Sequence, residues 1–185
     1  PSFGLDSVLK SGKPMPSNSF WQAMAINNIN HQTEFYSAAN GRFLTQLIRD
    51  AEQPALLSRL LTVQQQKLSY RVVNAAEQSK IALTEHSEQK VDLSDIDDGL
   101  SVNLNRDRFA KACQRELNAI AVLMKAAITQ ANCQPDVVFV TGGTAKSPVL
   151  NQFLQQQFQD TPIVVGDHFG SVTAGLTRWA KTIYT

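Results

Sequence analysis

The sequence has little cysteine, no long apolar run and almost no net charge, and each absence excludes a class of protein. The two cysteines, Cys113 and Cys133, stand in no Cys-x-x-Cys or Cys/His pattern, so neither a zinc site nor a disulfide framework is expected. Two reduced thiols fit a cytoplasmic protein. No apolar stretch approaches the ~20 residues that span a bilayer. The formal net charge is +1 with scattered basic residues, so no nucleic-acid partner is expected.

Helical patterns dominate the sequence up to about Glu85. Residues 1–20 are rich in Pro, Gly and Ser without a clear period, which predicts an irregular arm. A short amphipathic helix is expected next, with its apolar side formed by Phe43, Leu44, Leu47 and Ile48. From Pro54 to about Glu85 the apolar residues recur in steps of three and four, which again predicts helix. The middle of that stretch suggests a break that the pattern does not locate.

A change to a two-residue period follows, and it predicts a β-hairpin at about 88–94 and 99–104. Asp98-Gly99 supplies a turn, because this pair readily adopts the positive φ angles of a tight connection. Asn105 is a good N-cap and Asp107 suits the first turn of a long helix that runs to about Thr129. One face of this helix carries Phe109, Cys113, Leu117, Ile120, Ala121, Met124 and Ile128.

The last third alternates strands and helices. Val137–Thr141 is a continuous apolar run, which is typical of a strand covered on both faces. Gly142-Gly143 ends it, and Pro148 suits the first turn of the next helix. A second short strand at Ile163–Val165, the loop GDHFGS and a helix to Tyr184 complete the pattern. Strand–helix–strand predicts a parallel pair with a right-handed crossover, so the fold class is mixed α/β.

Two glycine loops follow the strands of this predicted sheet. Gly142, Gly143 and Gly170 would lie at the carboxyl edge of the sheet, where open α/β sheets bind ligands. The N–H groups of a helix start favour anions such as phosphate. Glycines that only make tight turns are the alternative. The Val137–Pro148 segment is therefore interpreted as a buried strand, a loop and a helix that form one wall of a nucleotide site.

Several segments, which occur in the same order as in the family, resemble the adenosine-binding motifs of the DnaK-type heat-shock chaperone family, within the actin-like ATPase superfamily. The run TGGTAKSP resembles the family's Gly-Gly-Ser/Thr-x-Arg-x-Pro, and GDHFGSVTAGLTRWA resembles the segment after it. Glu77, Lys80, Leu83 and Thr84 match a helix with Glu-x-x-Lys-x-x-Leu-Ser that precedes a hairpin, and Leu104–Phe109 matches the junction after it. The resemblance extends from about residue 70 to the end and is closest to the divergent YegD-like subgroup.

The resemblance implies a role for each matching residue. Glu77 and Lys80 would bond the ribose hydroxyls, Ile81 and Lys146 would flank adenine, and Thr84 would bond a ring nitrogen. The implied nucleotide-binding set is Glu77, Lys80, Ile81, Thr84, Gly142, Gly143, Thr144, Lys146 and Ser147. Other interpretations are a surface ion pair for Glu77 and Lys80, a helix-end residue for Thr84, a core residue for Ile81 and a solvated lysine for Lys146. No catalytic or metal-binding residue is expected, and His168 is more typical of polar surface.

Several departures from the family pattern limit what the sequence can do alone. Lys146 stands where an arginine is common, and an ammonium stacks on a base less well than a guanidinium. The loop that contains Asp167, His168 and Phe169 is longer than the family's Asn-Pro-Asp-Glu turn, so no ligand role carries over to these residues. The two glycine-rich phosphate loops, Asp-Leu-Gly-Thr-Thr and Asp-Leu-Gly-Gly-Gly-Thr, do not occur, and neither does a Walker A motif. Phosphoryl transfer depends on such positioning groups, so the chain alone is expected to be inactive.

The expected organisation is an irregular arm at 1–29, a helix-plus-hairpin lobe at 30–104 and an inner α/β lobe at 105–185. The expected function is the adenosine-binding half of a chaperone-type ATPase domain, with ATP or ADP as ligand and Mg²⁺ held by a missing N-terminal half. A co-chaperone or client protein would be a further partner. Two alternatives stay open: half of another superfamily kinase, and an interaction module that has lost nucleotide binding.

Overall fold

The computed structural model of the protein describes residues 2–166 and 170–184, so the loop residues Asp167, His168 and Phe169 lie outside the described chain. The chain divides into two compact units. The first unit comprises Pro1–Ser79 and Lys90–Asn103, and the second comprises Lys80–Gln89 and Leu104–Thr185. The predicted division at residues 29 and 104 stays a prediction. No described helix is long and apolar enough to cross a membrane.

Helices form most of the first unit. They are α1 (Asn18–Met24), α2 (Ile29–Phe35), α3 (Ala38–Asp50), α4 (Pro54–Gln65) and α5 (Ser69–Glu85), the last of which continues past Ser79. The helical prediction for Pro54–Glu85 is confirmed, and its break lies between α4 and α5, where Lys67 has a φ of 58°. The predicted amphipathic helix is α3, which begins earlier because the Ser37 side chain accepts a hydrogen bond from the Asn40 backbone N–H. Leu44 and Leu47 are buried, but Phe43 is 45% exposed and does not belong to the packed face.

The N-terminal segment is more ordered than its sequence suggests. An irregular arm is predicted for residues 1–20, whereas α1 begins within it at Asn18. Val8 forms a β-bridge with Pro14, and Leu9 forms one with Ala51. Met15 and Phe20 are buried in the core of the first unit. The pattern missed this because a seven-residue helix is too short to display a period.

The predicted hairpin is confirmed as two neighbouring strands, β1 (Glu88–Asp92) and β2 (Ser101–Asn105). Its connection is longer than a tight turn. Leu93, Ile96 and Leu100 in that connection are buried in the first unit's core, and the Leu93 N–H donates to the Leu100 carbonyl at 2.9 Å. Gly99 has a φ of 69°, which agrees with the positive φ expected for Asp-Gly.

The second unit follows the predicted order of elements. It contains α6 (Arg106–Ala131), β3 (Val138–Val140), a 3-10 turn at Gly143–Lys146, α7 (Pro148–Gln157), β4 (Ile163–Val165) and α8 (Ser171–Tyr184). The N-cap prediction is confirmed, because the Asn105 side chain accepts from the Arg108 backbone N–H at 2.9 Å. β3 and β4 are parallel, with Phe139 opposite Val164. The mixed α/β class is therefore confirmed.

The prediction of a strand covered on both faces is wrong. Val137 is 50% exposed and Phe139 is 58% exposed. Val140 and Ile163 pack on a small buried cluster formed by Leu117, Val149, Phe153 and Leu154. Only one side of the short sheet is thus covered in the described residues. The predicted apolar face of α6 is also only partly covered, because Leu117 is buried whereas Ile120 is 40% exposed.

Candidate nucleotide site

The glycine turn, defined as Gly142–Ser147, begins two residues after the end of the parallel strand β3 at Val140. Gly142 has a φ of 93°, a value that residues with a Cβ rarely adopt, and a Cβ placed there would meet nothing within 4 Å. Glycine is therefore required by the backbone angle, and the space beside it is open. Pro148 follows as the first residue of α7, as predicted. The turn thus presents accessible backbone at the carboxyl end of a strand.

Hydrogen bonds hold this turn in one shape. The Ala145 N–H donates to the Gly142 carbonyl at 3.0 Å, and the Ser147 N–H donates to the Thr144 carbonyl at 2.9 Å. Asn151 of α7 donates through Nδ2 to the Ala145 carbonyl at 3.1 Å. Ala145 is 1% exposed, so it anchors the turn in the protein.

The predicted binding residues of the glycine turn do not share one environment. Gly143, Thr144 and Lys146 are exposed, whereas Ser147 is buried. Ser147 precedes α7 as its N-cap, but its side chain makes no capping hydrogen bond. The exposed members could reach a ligand directly. Ser147 lies at the base of the turn, and its predicted contact with a nucleotide stays a prediction.

The last two turns of α5 carry three more predicted residues of the second unit. Lys80 and Thr84 are half-buried, and the Thr84 hydroxyl donates to the Lys80 carbonyl at 3.3 Å. Ile81 is 53% exposed, so the interpretation of Ile81 as a core residue is wrong. An exposed isoleucine at this position offers a small apolar surface to a ligand.

Glu77 belongs to the first unit. It is exposed and lines an open cleft together with Val73 and the segment 24–28 that joins α1 and α2. A carboxylate in this position is accessible to a polar partner. Its predicted ribose contact stays a prediction.

Arg106, which sequence reasoning did not identify, fixes the end of α5. Its Nε donates to the Leu83 carbonyl at 2.9 Å and its Nη2 donates to the Thr84 carbonyl at 3.1 Å. Carbonyls in the last turn of a helix have no partner within the helix, and a cation there also suits the helix dipole. No local spacing rule could predict this pairing, because the hairpin separates Arg106 from α5 in the sequence.

The electrostatics of this region involve Cys113 on α6. Burial raises the pKa of the Cys113 thiol, the Glu116 carboxylate raises it further, and the Lys80 ammonium lowers it. Lys80 therefore lies close enough to α6 to act on its charges. Within residues 2–166 and 170–184, no three His, Cys, Asp or Glu side chains group in a way that could hold a metal ion.

The sequence that forms this region matches a known protein family. The family described as Hsp70 protein matches residues 58–175, which is more than half of the chain. The match includes α5, the hairpin, α6, the glycine turn, α7 and β4. The resemblance to the YegD-like subgroup stays a prediction. The chain belongs to the Hsp70 family of heat-shock proteins.

Proposed function

We propose that this chain supplies the adenine and ribose side of the ATP-binding domain of an Hsp70-type ATPase. The glycine turn carries the proposal, because it places open backbone after a parallel strand and lies inside the segment matched by the family. The phosphate loops and the Mg²⁺ ligands would come from an N-terminal half outside this sequence. The present residues would bind and orient nucleotide rather than cleave it.

The geometry of the turn supports an anionic, flat ligand. Gly142 leaves open space beside the backbone, and the exposed Gly143 and Thr144 flank it. Backbone N–H groups near a helix start attract phosphate oxygens. Lys146 is exposed, so its ammonium could lie beside the base or pair with a phosphate. Ser147 would act by holding the turn rather than by direct contact.

The end of α5 supplies the second set of contacts. Ile81 would place its exposed methyl and methylene groups against one face of adenine, which removes apolar surface from water. Thr84 would bond a ring nitrogen, and Lys80 with Glu77 would bond the ribose hydroxyls. The resemblance to the family implies these roles. The exposure of Ile81 supports its role, because covering an exposed isoleucine with a base removes apolar surface from water.

Nucleotide titration of the full-length protein tests this proposal. ATP, ADP and adenosine are titrated by calorimetry with and without Mg²⁺. We expect Lys80→Ala to weaken adenosine binding by about tenfold, the equivalent of one lost charged hydrogen bond. Lys125→Ala is the matched control, because Lys125 is an exposed lysine on α6 of the same unit, and it should leave binding unchanged.

A second variant tests the glycine turn separately. Gly142→Val forces a β-branched residue to a φ of 93°, so the turn should reshape and nucleotide affinity should fall by more than it does in Lys80→Ala. Absence of binding by the wild-type protein at millimolar ATP would exclude the proposal. That result would instead favour an interaction module that does not bind nucleotide. The lysine at position 146 is compatible with this alternative.

The family also bears on the remaining expectations. The Hsp70 match favours a chaperone-type parent over a small-molecule kinase of the same superfamily. A co-chaperone or a client protein is a proposed partner on the same ground. A cytoplasmic location stays a prediction that rests on the reduced cysteines.

A further inference from the structure

We propose that Arg106 is a positioning residue that sets the base selectivity of the nucleotide site. Its guanidinium would fix the last turn of α5 and so the directions in which Lys80, Ile81 and Thr84 project. This inference rests on the proposed function. It assigns to Arg106 a role that acts through other residues and not through contact with the ligand.

The geometry of the clamp is specific to arginine. Two nitrogens of one guanidinium donate to two successive carbonyls, Leu83 at 2.9 Å and Thr84 at 3.1 Å. The planar fork of arginine matches such a pair, whereas the single ammonium of lysine does not hold both acceptors in fixed directions. Arg106 thus holds Thr84 through its backbone carbonyl. The Thr84 hydroxyl, which donates to the Lys80 carbonyl at 3.3 Å, would turn its one proton toward the ring nitrogen when the base binds.

Arg106 also connects the end of α5 to the rest of the second unit. Its backbone N–H donates to the Ser87 carbonyl at 3.3 Å, and Arg106 is itself the first residue of α6. The start of α6 is in turn fixed by the Asn105 N-cap. One residue therefore joins the last turn of α5, the segment before β1 and the first turn of α6.

Through α6 the clamp reaches the glycine turn. Leu117 of α6 packs in one buried cluster with Val149 and Phe153 of α7, and α7 begins immediately after the turn. All of these residues lie in the second unit. A continuous path of packed elements thus runs from Thr84 through Arg106, α6 and α7 to the glycine turn. A shift at Arg106 would change the relation between the proposed contacts on α5 and those on the turn.

A helix cap that only stabilises would behave differently from a positioning residue. Loss of a simple cap lowers the melting temperature and leaves the ratio of ATP to GTP affinity unchanged. Loss of a positioning residue changes that ratio, because discrimination between adenine and guanine depends on where the Thr84 hydroxyl lies against the ring edge. Base selectivity is therefore the informative measurement.

The test compares three variants in the full-length protein. Dissociation constants for ATP and GTP are measured by calorimetry, well below the melting temperature of each variant. We expect Arg106→Gln to weaken ATP binding by about tenfold, the equivalent of one ligand hydrogen bond. GTP binding should weaken by less, because the Thr84 contact that is displaced favours adenine. Arg106→Lys should fall between, because it keeps the charge but not the fork. Arg115→Gln changes an exposed arginine further along α6 and should change neither constant.

Hydrogen exchange supplies a readout that does not need a ligand. In Arg106→Gln the amides of residues 84–88 should exchange faster than in the wild type, because the last turn of α5 opens more often. An unchanged ATP to GTP ratio in a folded Arg106→Gln protein would overturn the positioning role. If the wild type bound neither nucleotide, the proposed function and the positioning role would both fail, and faster exchange would identify Arg106 as a structural clamp alone.

Discussion

The two units differ in how they bury their apolar side chains. The first unit has a continuous core in which Phe35, Leu44, Leu57 and Val63 are fully buried. The second unit has a small cluster of four buried residues, Leu117, Val149, Phe153 and Leu154. Burial of apolar surface is the main stabilising contribution to folding. The first unit therefore buries its core with its own residues, whereas in the second unit only one side of the sheet is covered by apolar packing.

The second unit presents several apolar residues of its sheet and last helix to solvent. Those that are at least 44% exposed on its sheet and last helix are Val137, Phe139, Val164, Val165, Leu176, Trp179, Ile183 and Tyr184. Contiguous exposed apolar surface usually marks an interface. Under the proposed function, the remaining half of the ATPase domain would cover these residues of the sheet and of α8. The proposal would then account for the exposure of a strand that the sequence predicts to be buried.

The largest expected effect is a difference in unfolding free energy between two leucine-to-alanine substitutions, one in each unit. Leu57→Ala should lower the free energy of unfolding by about 3–4 kcal/mol, because it removes a fully buried side chain and leaves a cavity. Leu176→Ala should change it by less than about 0.5 kcal/mol in this 185-residue chain, because Leu176 is 64% exposed. Urea denaturation followed by circular dichroism measures both.

For each substitution, a different result would change this view of how the two units bury their apolar side chains. A loss below about 1 kcal/mol for Leu57→Ala would mean that the first unit's core is loosely packed. In the full-length protein, a loss above about 2 kcal/mol for Leu176→Ala would mean that another part of the protein covers α8. The difference between the two contexts therefore measures the proposed interface directly.

Local patterns predicted elements well where a single local cause determines them. The Asn105 N-cap, Pro148 at the start of α7 and the positive φ at Gly99 each depend on one residue and its neighbours, and all three are confirmed. The break at Lys67 was not located, because lysine has no strong preference for the positive φ of 58° that it adopts there. Burial was predicted less well. The apolar run Val137–Thr141 specifies a strand, but it does not specify what covers the strand.

The candidate site divides in the same way. The glycine turn could be predicted, because Gly142 and Pro148 constrain the backbone locally. The clamp of Arg106 on Leu83 and Thr84 could not, because it joins segments that only the folded hairpin brings together. The exposure of Ile81 was also not predictable from its place in a helical pattern. Residue type indicates chemistry, whereas long-range packing decides which groups are available.

A smaller effect tests whether the N-terminal segment belongs to the first unit's core. Gly4 and Gly12 both have positive φ, 86° and 77°, so an alanine is strained by the backbone at either site. At Gly4 the new Cβ would also lie 2.5 Å from Leu57 Cδ2, whereas at Gly12 it meets nothing within 4 Å. Gly4→Ala should therefore cost about 1–2 kcal/mol more than Gly12→Ala in urea denaturation. Equal costs would place Gly4 outside the packed core.

The smallest effect tests how well the second unit's limited cluster excludes solvent. Cys113 is half-buried and packs against that cluster, whereas Cys133 is exposed. Burial and the Glu116 carboxylate raise the pKa of the Cys113 thiol, so at pH 8 less of it is the reactive thiolate. Iodoacetamide should therefore label Cys113 more slowly than Cys133, by about tenfold. The Cys113→Ser and Cys133→Ser variants allow each rate to be measured alone by mass spectrometry.

The sign of the charge effects provides the control for this labelling. Glu116→Gln removes a carboxylate that raises the pKa of Cys113, so labelling should become faster at pH 8. Lys80→Ala removes an ammonium that lowers the same pKa, so labelling should become slower. If the two variants change the labelling rate in opposite directions, the Lys80 ammonium and the Glu116 carboxylate both act on the Cys113 thiol. Equal rates for the two cysteines, unaffected by either variant, would mean that the cluster around Leu117 does not shield Cys113 from solvent.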